Sequence, residues 1–384
     1  MINYFSRVYC KEGDIMQKIL FVMPNLPSGG AEKVLIDILK NIDKKKFDIT
    51  LLLFAMGEVY DKDIPKEINI KCIKDIMKFI PGRVWLHIAK YFPKLFYKFI
   101  IKEKYDTEIA FMEGLATRFV AGSNNIKSKK VAWIHADLLK NHFTKNMFLK
   151  GKEEESYSKF NDLVFVSNDA KTSFNNLFKE NKSNKHVIYN PIITDEIEAK
   201  SNEENIKFDD FTIVSVGRLD YQKGYDRLIS AHAELVNTYP HKLVILGEGH
   251  ERENLEKIIK DKNVKSSIEL KGFIKNPYPY IKAADLFICS SRSEGYSLVV
   301  AESMVLERPI LATDITGPRE VLNKGKYGIL CDNSEVGIKD KLKEVLDNKN
   351  LIHIYKQKSI QGKKSLDYKS VINDIEMLLI KDNN

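Results

Sequence analysis

Glu294-Gly295-Tyr296-Ser297-Leu298-Val299-Val300-Ala301-Glu302 places two carboxylates eight positions apart, across a glycine turn and a helical pattern. The apolar Leu286-Phe287-Ile288-Cys289 before it reads as a buried strand, residues 290–295 as a loop, and Tyr296 onward as a helix. A strand handed to a helix through a glycine loop is the repeating unit of a parallel α/β sheet. The free backbone N–H groups at such a helix start, at the positive end of its dipole, suit a pyrophosphate. Glu294 would stand before the helix and Glu302 two turns inside it, so two hydroxyl acceptors would bracket the anion. Spacing alone does not make a site, because two glutamates eight apart also fit a solvated helix face.

The flanking pieces favour the site. Ala283-Ala284-Asp285 precedes the strand, Pro309 precedes a second apolar run (Ile310-Leu311-Ala312-Thr313), and Gly317-Pro318-Arg319-Glu320 follows it. Upstream, the apolar residues 211–216 end in Gly217-Arg218-Leu219-Asp220-Tyr221-Gln222-Lys223-Gly224. Gly217 permits a tight turn. Arg218 can hold phosphate oxygens in a bidentate fork and Lys223 adds a point charge, so together they can neutralise a diphosphate. A third strand, glycine loop and helix is carried by Ser28-Gly29-Gly30-Ala31-Glu32, between the apolar residues 19–23 and a helical pattern of Val34, Leu35, Ile38 and Leu39. Its glycines let backbone N–H groups approach a ligand with no β-carbon in the way, although it is neither a Walker loop nor a full Gly-x-Gly-x-x-Gly.

In this order the pieces resemble the retaining, nucleotide-sugar-dependent glycosyltransferases of family 4, within the group 1 glycosyltransferases, whose mark is a Glu, seven residues and a Glu. The resemblance covers most of the chain and is strongest over residues 211–328. It implies an α/β fold of the GT-B type: two Rossmann-like domains facing across a cleft, with a C-terminal helix crossing back to the first domain. It also implies roles. Arg218 and Lys223 would bind the donor's phosphates, with the Gly29-Gly30 loop, Gly217 and the helix start at Gly295, Tyr296, Ser297 and Leu298 around them. Glu302 would bind the ribose, and the backbone near Ile274 would contact the base. Glu294 would hold the sugar, and His135, which closes Trp133-Ile134-His135 at a strand end, would contact it; an ordinary hydrogen-bonded loop histidine is the alternative reading. Glu113, after the apolar residues 107–112, is assigned to the acceptor. Tyr296-Ser297 departs from the family, many of whose members carry an aromatic residue and then glycine, and this leaves the choice of donor open. Retention of anomeric configuration and a uracil nucleotide as the default donor both come from the resemblance.

With 384 residues the chain can build two domains, each with its own core. Asn190-Pro191 marks the boundary between an acceptor-binding half (residues 16–190) and a nucleotide-sugar-binding half (residues 191–365). Residues 366–384 form the returning helix, and residues 1–15 are an extension ahead of Met16, an alternative start. Apolar runs at 49–54, 107–112, 131–134, 163–166, 211–216 and 243–246 alternate with helical patterns, the rhythm of parallel sheets that bind ligands at the carboxyl ends of their strands. Cys10, Cys72, Cys289 and Cys331 lie far apart with no Cys-x-x-Cys pair, which indicates neither a zinc site nor a disulfide framework and fits a reducing cytoplasm. No stretch approaches ~18 apolar residues and no secretory pattern opens the chain, so the expected location is cytoplasmic, including the inner face of the cytoplasmic membrane.

The net charge of +8 is spread along the chain without a nucleic-acid reading motif, so no nucleic acid is expected as a partner. Asp61-Lys62-Asp63 has the Asp-x-Asp spacing that other glycosyltransferases use for a divalent cation, but it stands apart from the donor motifs. Because Arg218, Lys223 and the helix start can neutralise the diphosphate themselves, neither a metal nor another cofactor is expected. The acceptor's best clue is residues 71–104, where Lys90, Lys94, Lys98 and Lys102 recur every fourth residue beside Phe92, Leu95, Phe96 and Phe99, with Trp85 and Tyr91 nearby. Pro93 limits how far one helix can run. The pattern suits an anionic membrane surface and a lipid-linked or polysaccharide acceptor, or else a core-packed helix with a solvated lysine face. Two rival functions remain at this level: a noncatalytic sugar-nucleotide-binding scaffold, and an epimerase or inverting transferase on the same fold.

Overall fold

The structure, a computed structural model, describes residues 16–27 and 29–381. The expected extension over residues 1–15, with Cys10, and Ser28 of the glycine loop lie outside the described residues. Seven strands, β1 (Gln17–Met23), β2 (Phe47–Leu53), β3 (Asn69–Cys72), β4 (Thr107–Ala110), β5 (Lys129–Ile134), β6 (Asp162–Phe165) and β7 (Asn184–Val187), form one sheet in the order β3-β2-β1-β4-β5-β6-β7. Six more, β8 (Thr212–Val216), β9 (Lys242–Leu246), β10 (Ile268–Gly272), β11 (Leu286–Cys289), β12 (Ile310–Thr313) and β13 (Ile329–Cys331), form a second in the order β10-β9-β8-β11-β12-β13. Every pairing between these strands is parallel.

Central strands of such sheets are covered on both faces and so are apolar throughout. Residues 19–23 of β1 and all of β11 are buried. Helices lie over both faces of each sheet, and each sheet therefore carries two apolar clusters, one per face. The four strands that the apolar runs do not reveal, β3, β7, β10 and β13, are the four sheet edges. They read Asn-Ile-Lys-Cys, Asn-Lys-His-Val, Ile-Glu-Leu-Lys-Gly and a three-residue Ile-Leu-Cys. An edge strand pairs on one side only and tolerates charge.

Strand order reverses between β1 and β4 in the first sheet and between β8 and β11 in the second. Ligands of doubly wound sheets bind in the crevice beyond the carboxyl ends of the strands at these points. The Gly29-Gly30 loop follows β1, Glu113 follows β4, Gly217 follows β8, and residues 290–297 follow β11. The final helix, Tyr368–Leu379, returns to the first domain and places Ile372, Ile375, Leu378 and Leu379 in the cluster of β1 and β2. Each such buried side chain contributes about 1.5–3 kcal/mol. Glu376 on this helix accepts from the Asp43 N–H at 2.8 Å and from Lys46 Nζ at 2.7 Å, which fixes its register.

Residues 71–104 do not form one lysine-striped helix. Pro93 opens a second helix, so Gly82–Tyr91 carries Lys90 while Pro93–Ile100 carries Lys94 and Lys98. Trp85 is not interfacial: it is buried and stacked on Phe96 at 6.2 Å, because the bend at Phe92 folds the two helices together over Phe54 and Phe119. Phe92, Leu95 and Phe99 remain 61%, 64% and 52% exposed. Among the described residues no helix is long and apolar enough to cross a membrane.

Candidate active site

The loops after β1, β4 and β5 meet those after β8 and β11. A Cβ added at Gly295 would lie 1.9 Å from the His135 carbonyl oxygen, and one at Gly30 would lie 3.3 Å from Leu298 Cδ1. The cleft is therefore closed, and its contact points include two of the glycines singled out in the sequence. Lys140 Nζ donates to Thr316 Oγ1 at 3.0 Å, and the Thr316 hydroxyl donates to Asp137 Oδ2 at 3.0 Å. Glu320 accepts from the Asn168 N–H at 2.7 Å and from the Tyr189 hydroxyl at 2.9 Å.

Two helix starts converge here. Gly30–Asn41 begins after Gly29, Leu298–Val305 begins after Ser297, and neither has a side-chain cap. Their unsatisfied N–H groups and positive dipole ends make an anion site. The second helix opens at Leu298, not at Tyr296 as the sequence suggests, and Glu302 is four residues past its start instead of two turns inside. Ser297 takes the extended N-cap backbone, while Tyr296 turns aside to pack between the domains near Tyr189, ring centroids 6.0 Å apart. Gly317 closes over this turn: its N–H donates to the Glu294 carbonyl at 3.1 Å, and a Cβ there would approach the Ser297 nitrogen to 2.9 Å.

Glu294 is buried beside Lys223. Its Oε1 accepts from Lys223 Nζ at 2.6 Å and from the Ser291 hydroxyl at 2.6 Å. Burial alone would raise the carboxyl's pKa, but the Lys223 ammonium and the hydroxyl donors around it outweigh that and hold it below the usual value. Glu294 is thus an anion held by a lysine. Gly224, at φ 67°, ends the Lys223 turn, and a Cβ there would strike the Ser290 carbonyl oxygen at 2.3 Å, so glycine keeps this turn against the loop after β11. Arg218 projects its side chain 63% exposed, 3.5 Å from Asp220. Its charge reaches Glu32, in the first turn of the Gly30–Asn41 helix, whose pKa is raised by burial against the lowering effects of its own backbone and of Arg218.

His135 follows β5 and is held on both sides. Its Nε2 lies 2.9 Å from the Phe111 carbonyl oxygen, which can only accept, so Nε2 carries the proton and Nδ1 keeps a lone pair. Burial pushes its pKa down to about 4, against the pull of the Phe111 carbonyl, and the ring is neutral at pH 7. Glu113 Oε1 accepts the backbone N–H groups of His135 and Ala136, each at 2.8 Å. This carboxyl grips the turn that carries the histidine. Burial raises it to about 7, against the lowering of those N–H groups.

Glu302 Oε1 accepts from Lys33 Nζ at 2.8 Å and from the Tyr278 hydroxyl at 3.1 Å. Ile274 is half-buried after β10, where Gly272 takes φ 79° and its carbonyl accepts from the Gly247 N–H. Sequence reasoning did not single out Lys33, Tyr278, Ser291, Gly247 or Gly249. A Cβ at Gly247 would lie 1.9 Å from the Gly217 carbonyl oxygen, and one at Gly249 2.3 Å from that of Leu219, so Gly-x-Gly after β9 seats the Gly217 turn. That spacing was visible in the sequence; the partners of Lys33 and Tyr278 were not. Asp61 accepts the N–H groups of Gly57 and Glu58 and caps its own loop. Among the described residues no group of three His, Cys, Asp or Glu side chains is placed to hold a metal ion.

Two parallel-sheet domains that close on a site at facing strand ends define the GT-B fold of glycosyltransferases. The sequence profile of the family described as "Glycosyl transferases group 1" matches residues 196–362. Across 94% of the chain and 98% of the relative, the sequence is 31% identical to the N-acetylgalactosamine-N,N'-diacetylbacillosaminyl-diphospho-undecaprenol 4-alpha-N-acetylgalactosaminyltransferase of Campylobacter jejuni. It is 26% identical, over 87% of the chain and 90% of the relative, to a second Campylobacter jejuni enzyme, the GalNAc-alpha-(1->4)-GalNAc-alpha-(1->3)-diNAcBac-PP-undecaprenol alpha-1,4-N-acetyl-D-galactosaminyltransferase. Anabaena HepE, solved in complex with UDP and glucose, superposes with a TM-score of 0.73 at 18% identity, over 94% of this chain and 99% of that one, and this likeness bears on the fold. The protein belongs to the group 1 glycosyltransferases and is a glycosyltransferase.

Proposed function

We propose that the chain is a retaining family 4 transferase that moves a hexosyl or N-acetylhexosaminyl group from a uridine-diphosphate sugar to a hydroxyl of an undecaprenyl-diphosphate-linked oligosaccharide. The observation that carries the reaction class is the Lys223–Glu294 pair, set where two uncapped helix starts converge. The Campylobacter relatives, which by name act on undecaprenol-linked substrates, support the acceptor class. The UDP-bound structure of a protein with this fold supports the donor.

Cleavage of the anomeric bond leaves an oxocarbenium-like sugar and a departing nucleotide diphosphate, so groups that stabilise the anion lower the barrier. Lys223, Arg218 and the helix starts do this, and no metal or other cofactor has a necessary task. Glu294, ionised and held by Lys223, fixes the sugar so that the acceptor hydroxyl meets the face the diphosphate leaves. The neutral His135 offers Nδ1 as an acceptor to a sugar hydroxyl. Glu302 takes the ribose, the backbone near Ile274 takes the base, and Glu113 shapes the acceptor side by holding the His135 turn. The exposed Phe92, Leu95 and Phe99, among Lys90, Lys94 and Lys98, meet the anionic membrane that carries the acceptor, where each nearby lysine contributes ~1 kcal/mol.

The test is a panel of UDP-, GDP- and ADP-sugars with undecaprenyl-diphosphate-linked acceptors, with the product anomer read by NMR. One nucleotide class should be consumed and the donor's anomeric configuration kept. Glu294→Gln should lower turnover by about 10²–10³-fold, as loss of one key electrostatic group does, with an unchanged circular-dichroism spectrum. An inverted product sinks the retaining assignment, and a native chain that binds no nucleotide sugar would turn the reading to the scaffold.

A further inference from the structure

We propose that Lys33 is a positioning residue: it reaches across the cleft to align the Glu302 carboxylate on the donor's ribose, and so ties donor affinity to closure of the two domains. The inference rests on the reading above that Glu302 meets the ribose.

Lys33 stands in the first domain, early in the Gly30–Asn41 helix that follows the glycine loop. A cation so near a helix start is opposed by the dipole, so its place requires compensation. Two carboxylates supply it, Asp37 at 3.5 Å on the same helix and Glu302 at 2.8 Å on the Leu298–Val305 helix of the second domain. Glu302 is buried, with 6% of its side chain exposed. A buried carboxylate with one neutral donor is poorly compensated, and among the described residues of its own domain only the Tyr278 hydroxyl donates to it. The second partner must come from the first domain. Lys33 Nζ and Tyr278 both act on Oε1, so Oε2 is engaged by neither and is the oxygen available to ribose hydroxyls. The same helix start abuts the other: Gly30 and Leu298 are near contact, one turn before Lys33 and Glu302 respectively. Opening the cleft takes Lys33 from Glu302 but leaves it Asp37, so only the closed form has a charge-paired ribose acceptor. Burial alone would lower the ammonium's pKa, yet Glu302 and Asp37 hold it well above the usual lysine value, so Lys33 stays a cation.

The experiment measures binding of UDP and of its 2′,3′-dideoxy analogue by calorimetry, and turnover of the matching UDP-sugar, for the native chain, Lys33→Met, Lys33→Gln and Lys33→Arg. Both neutral variants should raise the KM for the donor and the Kd for UDP about tenfold with kcat within about twofold, and Lys33→Arg should recover most of the loss. The decisive reading is the dideoxy analogue, for which the penalty of Lys33→Met should disappear, since a residue acting through the ribose contact has nothing left to align. An equal penalty on both nucleotides, or a loss confined to kcat, overturns the inference. If the native chain itself shows no preference for UDP over the dideoxy analogue, the ribose assignment of Glu302 fails instead. Thermal unfolding separates these outcomes from misfolding, and Lys33→Gln keeps the test open should Lys33→Met not fold.

Discussion

His135 and Glu113 stand one hydrogen bond apart and respond to pH in opposite directions. His135 is lowered from 6.5 to about 4 by burial, so its contribution to stability is fully present above about pH 6.5 and is lost as pH falls through about 4. Glu113 is raised from 4.5 to about 7 by burial. Its contribution is present below about pH 4.5 and is lost as pH rises through about 7, because the folded state must then hold a buried carboxylate. At about 1.4 kcal/mol per pH unit, each window spans on the order of 3 kcal/mol. Glu113→Gln keeps an oxygen for the His135 and Ala136 N–H groups but cannot ionise. Its urea midpoint relative to the native chain should rise steadily between pH 4.5 and 7 and stay level above; a difference that is flat with pH would show that Glu113 is not titrating there. Both residues could be named from their places after apolar runs. That one grips the backbone of the other could not, since the contact joins the ends of two separate strands.

Among the elements, the turn between β11 and the Leu298–Val305 helix is the most constrained. Gly295 has no room for a β-carbon because the His135 carbonyl of the facing domain occupies it. Gly295→Ala should therefore force the domains apart. A displacement of about 1 Å at a reacting centre can cost 10²-fold, and a turnover loss of that order is expected, with thermal unfolding nearly unchanged because neither domain's core is touched. Turnover near the native value would show that the closed contact is dispensable. The sequence pattern located the turn and its glycine but set the helix start two residues early. Hydrophobic pattern cannot tell an aromatic side chain at a helix start from one that packs across a cleft. A related limit hides the edge strands: in β3, β7 and β10 polar or exposed residues break the continuous apolar run that exposed β1, β8 and β11, and β13 is apolar but only three residues long.

Across the whole molecule, the paired helices Gly82–Tyr91 and Pro93–Ile100 present Phe92, Leu95 and Phe99 outward while Trp85 and Phe96 anchor them from within. The face is apolar, flanked by lysines and backed by packed aromatic rings. Replacing Phe92, Leu95 and Phe99 together with serine should abolish flotation with vesicles containing anionic lipid and leave folding intact, since these side chains lie outside the core. Native flotation that is equal on neutral and anionic vesicles would remove the electrostatic half of the membrane reading.

Local sequence determined what depends on local chemistry: the central strands from apolar runs, the glycine loops that end them, and the identity of the acids and cations at those loops. Tertiary structure decided what depends on the order of strands within each sheet and on closing the two sheets on one another. Lys33 and Glu302 are 269 positions apart, and Lys223 and Glu294 are 71. No periodicity links such residues: Lys223 and Glu294 meet because β8 and β11 are neighbours in the second sheet, and Lys33 and Glu302 meet because the two sheets close on one another at their strand ends. Whether a polar residue at a strand end faces water, a ligand or a partner across the cleft is settled by that closure, since only the closed molecule fixes which charges lose their solvent and must find one another.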